Sequence, residues 1–207
     1  LKTYKTEQET FWAGEFGTNY INRNQSEELI ASNLALFSQI ISRTNNINSI
    51  IEFGANIGLN LRALKNLLPN ASLSAIEINH DAILELEKIG NITCYHNSIL
   101  ETNIQNLYDL TLIKGVLIHI NPDELSQVYE KLYTLSKKYI CLVEYYNPTP
   151  IEIPYRGHSN KLFKRDFAGE LLDKYPDLKL VDYGFIYHRD IHFPQDDCTW
   201  FLLEKGN

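Results

Sequence analysis

The sequence predicts an α/β fold: one mostly parallel sheet, helices on both of its faces, and an antiparallel strand pair at the C-terminal end. Three observations predict it. Short apolar runs alternate with stretches of helical period; the first run leads through a Gly54-to-Gly58 turn directly into a helix; and two β-rich stretches close the chain after the alternation stops near Tyr146. With 207 residues, 44% of them hydrophobic and 12% aromatic, the chain can bury one sizeable core, and a second full domain is not expected.

From Ser26 to about Ser42, Leu29, Ile30, Leu34, Phe37, Ile40 and Ile41 recur at helical spacing behind an N-cap serine and two first-turn glutamates. Asn48 to Phe53 reads as a short buried strand; Gly54 breaks it, and a helix carrying Leu61, Leu64, Leu67 and Leu68 follows until Pro69 ends it. Ser72 to Ile78 is a second strand, Asp81 to Lys88 a short helix stopped by Gly90, and Asn91 to His96 a third strand. Asp109 to Lys114 is a fourth. Asn121 and Pro122, as N-cap and first helical residue, open a helix expected to run to about Lys138, and Tyr139 to Glu144 is a fifth strand. Parallel strands joined this way require crossovers of one hand, with helices on both faces. Residues 147–158 hold too much Pro and Tyr for a regular helix or a central strand. Asp166 to Tyr175 is a helix, and Leu178 to Tyr187 and Cys198 to Glu204 form the terminal antiparallel pair, giving seven strands in all.

Composition excludes several functions. A net charge of −7 and the lack of any Lys/Arg-rich run leave no electrostatic footprint for a phosphate backbone, so nucleic acid is not an expected partner. Cys94, Cys141 and Cys198 are odd in number and have no CxxC spacing, which argues against a disulfide framework or a zinc site and for a reducing cytoplasm. No apolar run approaches the roughly 18 residues of a membrane span, and LKTYKTEQETFW lacks the apolar centre of a signal peptide. Since the chain has no methionine even at position 1, its native start is expected to lie upstream.

The loop Glu52 to Gly58 is the informative segment. In an open α/β sheet, ligands bind at the carboxyl ends of the strands, and the first strand-to-helix loop is the usual contact. A dinucleotide fingerprint would be GxGxxG; this loop is GxxxG, with Ala55 and Asn56 inside it and Glu52 just before it. A pyrophosphate wants bare amides at a helix N-terminus, whereas a ligand bearing a sulfonium and an amino group tolerates a neighbouring carboxylate. S-adenosylmethionine (SAM) has those charges and no phosphate. Glu77, about 20 residues on at the end of the second strand, is placed to accept hydrogen bonds from two ribose hydroxyls.

The segments Ile50 to Asn60, the Glu77 strand end and Tyr108 to Glu124 resemble class I SAM-dependent methyltransferases, whose fold is Rossmann-like. Within that class, FWAGEFGTNYINRN and EYYNPTPIEIPYRGHSNKLFKRDFAGELL are similar to the group called pseudaminic acid biosynthesis-associated methylases. The resemblance implies one domain over 1–207: an N-terminal helical cap (1–45), a cofactor-binding core (46–146), and an acceptor-side insert with the C-terminal β pair (147–207). It implies that Gly54, Ala55, Asn56 and Gly58 line the methionine part of SAM, that Glu77 holds the ribose, and that Ile78 packs on the adenine. Asn97 and Ser98 would lie by the adenine amino group, where many class members carry Asp. Lys114 and Gly115 would offer backbone carbonyl to the cofactor amino group, and Tyr20 and Arg23 would close over the site and pair with the methionine carboxylate.

Methyl transfer is a displacement at an already activated carbon, so the protein positions the acceptor, excludes water and takes up a proton. His119, just past the fourth strand, is the candidate base; the alternative is a packing histidine. In the insert, Tyr146, Tyr155, Arg156 and His158 are candidate acceptor contacts, Arg156 for a carboxylate or phosphate and the tyrosines for a ring. The histidines near Asp190, Asp196 and Asp197 match no metal-site spacing and read as a polar loop. The expected activity is methylation of an O or N atom of a small molecule, a sugar or sugar nucleotide of surface-glycan synthesis. A non-catalytic SAM-binding module of such a pathway is the alternative, and a nicotinamide oxidoreductase a third.

Overall fold

A computed structural model describes residues 3–206; Leu1, where the expectation about the native start falls, lies outside the described residues, as do Lys2 and Asn207. Three helices precede the first strand. The first, α1 (Glu7–Ala13), opens with a capping box, in which Thr6 Oγ1 accepts from the Glu9 amide at 3.2 Å and Glu9 Oε2 accepts from the Thr6 amide at 2.8 Å. Gly14 separates it from α2 (Glu15–Arg23), and Ser26 caps α3 (Glu27–Ile41) through Leu29 N at 3.2 Å. The alternating section follows: β1 (Ser49–Phe53), α4 (Leu59–Leu67), β2 (Ser72–Glu77), α5 (His80–Glu87), β3 (Ile92–His96) and β4 (Tyr108–Lys114). Two 3-10 turns, Leu117–His119 and Pro122–Glu124, lead into α6 (Leu125–Leu135) and β5 (Ser136–Glu144). The insert holds a small ladder of β6 (Ile151–Glu152) with β7 (Phe163–Lys164), and α7 (Phe167–Lys174), β8 (Leu178–Phe185) and β9 (Thr199–Lys205) complete the chain.

The helix expected over 121–138 is shorter at both ends. Its start is the 3-10 turn at Pro122, and residues 136–138 belong to β5, because Ser136 pairs with Tyr108 across the sheet and its Oγ donates to the Tyr139 carbonyl at 2.9 Å. Pairing along the sheet wins over helix propensity there.

The seven strands lie in the order β3-β2-β1-β4-β5-β9-β8; the first five are parallel, and β9 runs antiparallel to both β5 and β8. Both sheet faces are covered, and alternate residues of one strand go to opposite cores. Ile50 and Leu112 pack with Phe37, Ile40, Leu61 and Leu64 of α3 and α4, while Ile51, Phe53 and Ile113 pack with Val128, Leu132 and Leu171 of α6 and α7. This is the mostly parallel, doubly covered sheet with a C-terminal antiparallel pair that the sequence predicts. The chain leaves β1 toward β2 and returns beside it as β4, so strand order reverses between the two, and a crevice opens at their carboxyl ends.

Candidate active site

A cavity of about 530 Å³ occupies that crevice, within the range of small-molecule sites of roughly 300–1,000 Å³. Its floor is the β1-to-α4 turn. Gly54, Asn56 and Gly58 all have left-handed backbone, with φ of 72°, 48° and 79°. The turn spends its amides within the protein: Gly54 N and Ala55 N donate to Ile76 O at 2.8 and 3.1 Å, Gly58 N to Ala55 O at 2.9 Å, and Asn56 N to Glu77 Oε2 at 2.7 Å. A phosphate would find few free donors there. At Gly54 an added Cβ would sit 2.7 Å from Val116 Cγ2 in a conformation that disfavours side chains. We therefore expect Gly54→Ala to lower stability by about 1–3 kcal/mol in urea melts; an unchanged midpoint would contradict the strain.

Glu77 is buried in a cage of three amides. Oε2 takes Asn56 N, and Oε1 takes Ile78 N and Asn79 N at 2.8 and 2.7 Å. Burial raises its pKa, and the three amides work against that by favouring the charged form. Asn79 continues the chain into α5 by capping Asp81 N and Ala82 N, which fixes where Glu77 ends its strand.

Two further carboxylates lie beneath the floor. Glu52 is fully buried; its Oε1 accepts from Asn60 Nδ2 at 2.5 Å, its Oε2 has no partner, and burial pushes its pKa up to about 8. Glu144 Oε1 accepts from the Val116 and Leu117 amides, both at 2.9 Å, so it shapes the turn that carries His119; burial pushes it up to about 7. Its Oε2 also lacks a partner. Lys114 lines the cavity and donates to Asn33 Oδ1 of α3 at 3.2 Å.

His119 is buried, and burial pushes its pKa down to about 4. Its Nδ1 lies 2.5 Å from the Lys161 carbonyl oxygen. A carbonyl only accepts, so Nδ1 carries the proton and Nε2 keeps a lone pair. Rings of Trp12 and Tyr155 flank it at 4.7 and 4.9 Å between centroids.

The roof is α1 and α2. Trp12 stands edge-on to Tyr20 at 5.3 Å, and Phe11 stacks on Phe16 at 4.0 Å. Glu9, Ser98 and Asn97 line the far wall, with Ser98 Oγ hydrogen-bonded to Glu9 Oε1. Gln8 Nε2 donates to the Asn160 carbonyl at 3.0 Å and Glu7 pairs with Lys161 at 2.9 Å, so the roof is tied to the insert beside the carbonyl that His119 meets.

Of the residues read from the sequence, Tyr20, Gly54, Ala55, Asn56, Glu77, Ile78, Asn97, Ser98, Lys114, Gly115, His119 and Tyr155 line this one cavity. Glu52 and Gly58 support it from below; a Cβ on Gly58 would meet Ile89 and Leu86 side chains at 2.7 and 2.9 Å. Arg23, Tyr146, Arg156 and His158 lie outside the lining. The reason for Arg156 and His158 is local: Tyr155 and His158 exchange backbone hydrogen bonds at 2.8 and 2.9 Å around a turn with positive φ at Arg156 and Gly157. That hairpin points Tyr155 inward and leaves Arg156 and His158 exposed. Tyr146 is also exposed, near Phe201. Sequence reasoning missed Gln8, Glu9, Trp12 and Asn33, which line the cavity, as do Tyr145 of the insert and Asp196, read from the sequence as part of a polar loop. For α1 a signal existed, the Thr6-x-x-Glu9 capping box before Phe11 and Trp12.

No family model matches the chain, and no curated protein matches it. Solved structures do. The 1,6-didemethyltoxoflavin-N1-methyltransferase of Burkholderia thailandensis, with its substrate and S-adenosylhomocysteine bound, superposes with a TM-score of 0.70 at 10% identity over 100% of this chain and 94% of its own. The magnesium protoporphyrin IX methyltransferase of Synechocystis PCC 6803, with bound SAM, gives 0.66 at 12% over 99% and 100%. The plantazolicin methyltransferase BpumL, in complex with SAH, gives 0.65 at 15% over 97% and 94%. At such identities the likeness is one of fold: this chain has the Rossmann-like architecture on which those SAM-dependent methyltransferases are built.

Proposed function

We propose that the chain is a SAM-dependent methyltransferase that moves a methyl group to an oxygen or nitrogen of a small molecule, a sugar or sugar nucleotide of surface-glycan biosynthesis in the cytoplasm. The observation that carries this reading is the spent turn: four of its amides are committed inside the protein, and the acids Glu52 and Glu77 stand beside it. Such a floor leaves a pyrophosphate few donors and suits a ligand that has hydroxyls to donate. The residues present fit such a ligand, since Glu77 lines the cavity with a carboxylate that can accept from a hydroxyl. What favours the methyl-donor reading further is that structures of this fold carry SAM or S-adenosylhomocysteine.

When bound, the cofactor supplies a methyl carbon activated by a sulfonium. In this reading Glu77 accepts from the ribose at the site that the three amides leave on Oε2, Ile78 packs on the adenine, and Asn97 and Ser98 face its edge. The Gly54-to-Gly58 turn lets backbone approach the amino-acid end. Trp12, Tyr20 and Tyr155 enclose the acceptor and exclude water, and Nε2 of His119 takes the acceptor's proton as the methyl arrives.

Thermal unfolding with SAM, S-adenosylhomocysteine and NAD tests the cofactor class. A ligand at 100 times its dissociation constant adds about 2.7 kcal/mol of stability, so a rise in Tm with the first two and none with NAD is expected. A rise with NAD alone would overturn the reading. Transfer of radiolabelled methyl to nonulosonate sugars and their nucleotides then tests the acceptor; tight cofactor binding without turnover on any of them would favour a regulatory module.

A further inference from the structure

The amino-acid end of the proposed cofactor is a zwitterion, and its carboxylate needs a cation. Arg23, the residue that the sequence offers for this role, is exposed, with its guanidinium 5.3 Å from the Phe16 ring centroid and 5.8 Å from that of Tyr20. Among the described residues, Lys114 is the one lysine or arginine that lines the cavity. Its Nζ has three protons to donate and gives one to Asn33 Oδ1 at 3.2 Å. Burial draws its pKa below the usual lysine value, while Cys198, Glu52, Asp196 and Glu144 oppose that through space without forming an ion pair with it. The ammonium is thus held in place, partly desolvated, with donors to spare.

Register adds the counterpart. Glu52 of β1 lies opposite Leu112 of β4, and Lys114 is two residues further along β4, so the side chains of Glu52 and Lys114 leave the same face of the sheet at adjacent strand ends. One is the buried acid whose field favours the charged lysine, and the other lines the cavity as an ammonium with free protons, the complement of a carboxylate. We infer that Lys114, steadied by Asn33, is the anchor for the carboxylate of the cofactor's amino-acid end. This inference rests on the methyl-donor reading above.

Calorimetric titration with S-adenosylhomocysteine and with its decarboxylated analogue, which keeps the amine and loses the carboxylate, isolates the contact. Wild-type protein is expected to prefer S-adenosylhomocysteine by about 10- to 100-fold. Lys114→Gln keeps a donor for Asn33 and removes the charge; it is expected to erase that preference by weakening S-adenosylhomocysteine alone, and Lys114→Arg to retain most of it. Asn33→Asp sets a rival carboxylate beside the ammonium and is expected to weaken S-adenosylhomocysteine selectively, which decides the matter even if Lys114→Gln fails to fold by circular dichroism. The inference is overturned if wild type shows no preference, if the variants weaken both ligands equally, or if they weaken neither, the last being the result for a lysine that serves the acceptor. Wild-type protein that binds neither ligand would instead overturn the methyl-donor reading itself.

Discussion

His119→Ala is expected to slow methyl transfer by about 10²–10⁴-fold while leaving affinity for S-adenosylhomocysteine within a factor of about three. The hydrogen bond from Nδ1 to the Lys161 carbonyl fixes the tautomer, and Nε2 therefore meets the cavity as a lone pair. Burial holds the ring's pKa at about 4 against an ordinary 6.5, so it is neutral throughout pH 5–8. A base this weak does not deprotonate a hydroxyl in advance; it accepts the proton as the new bond forms. The pH profile of kcat/KM should fall on the acid side only as pH approaches about 4, with no inflection near 6.5. Stability has the same sign. The unfolded chain takes up the proton first, so the histidine's contribution is complete above 6.5 and is lost as pH falls from 6.5 to about 4. His119→Ala should remove that part of the acid sensitivity. A variant with rates within threefold of wild type on a radiolabelled-transfer assay would return His119 to a packing role.

The parts that the sequence made legible are those whose chemistry is local. Strands β1, β2 and β4 are buried on both faces and so read as continuous apolar runs, and the GxxxG turn and Glu77 are fixed by spacing along the chain. The roof was harder to read. Trp12, Phe16 and Tyr20 recur four residues apart, yet they pack on one another and on His119 instead of the sheet, and Gly14 and Gly17 interrupt the helical propensity. Gly17 is required there because a Cβ would come within 1.9 Å of the Trp12 carbonyl oxygen. On the acceptor side, residue types alone left Tyr155 and Arg156 equal candidates. Only the hairpin through Arg156 and Gly157 decides which of the two faces inward, and that direction depends on where β6 and β7 carry the turn. Lys114 illustrates the same limit, since its value as a cavity cation depends on Asn33, 81 positions away.

Glu77→Ala is expected to weaken S-adenosylhomocysteine by about 10–10²-fold, the loss of the hydrogen bond from the ribose 2′-hydroxyl to the one acceptor site that three amides leave on Oε2, at roughly 1.5–3 kcal/mol. Glu77→Gln should be nearly as damaging. Both oxygens of Glu77 already accept from backbone, Oε2 from Asn56 and Oε1 from Ile78 and Asn79, so an amide NH₂ in either place would confront an N–H. Stability should respond far less than affinity. The carboxylate's raised pKa means that burial penalises the charge by more than the three amides return, and its removal relieves that penalty while the freed amides face a cavity open to water. Calorimetric titration alongside thermal melts separates the two effects. The 2′-deoxy analogue of S-adenosylhomocysteine sharpens the test: it should bind wild type about 10-fold or more less tightly than the parent, and Glu77→Ala should bind the two alike, because the hydroxyl then has no acceptor to lose. A variant that still prefers the parent compound as wild type does would show that the ribose is held elsewhere, and the cage around Glu77 would then be a device for shaping the turn.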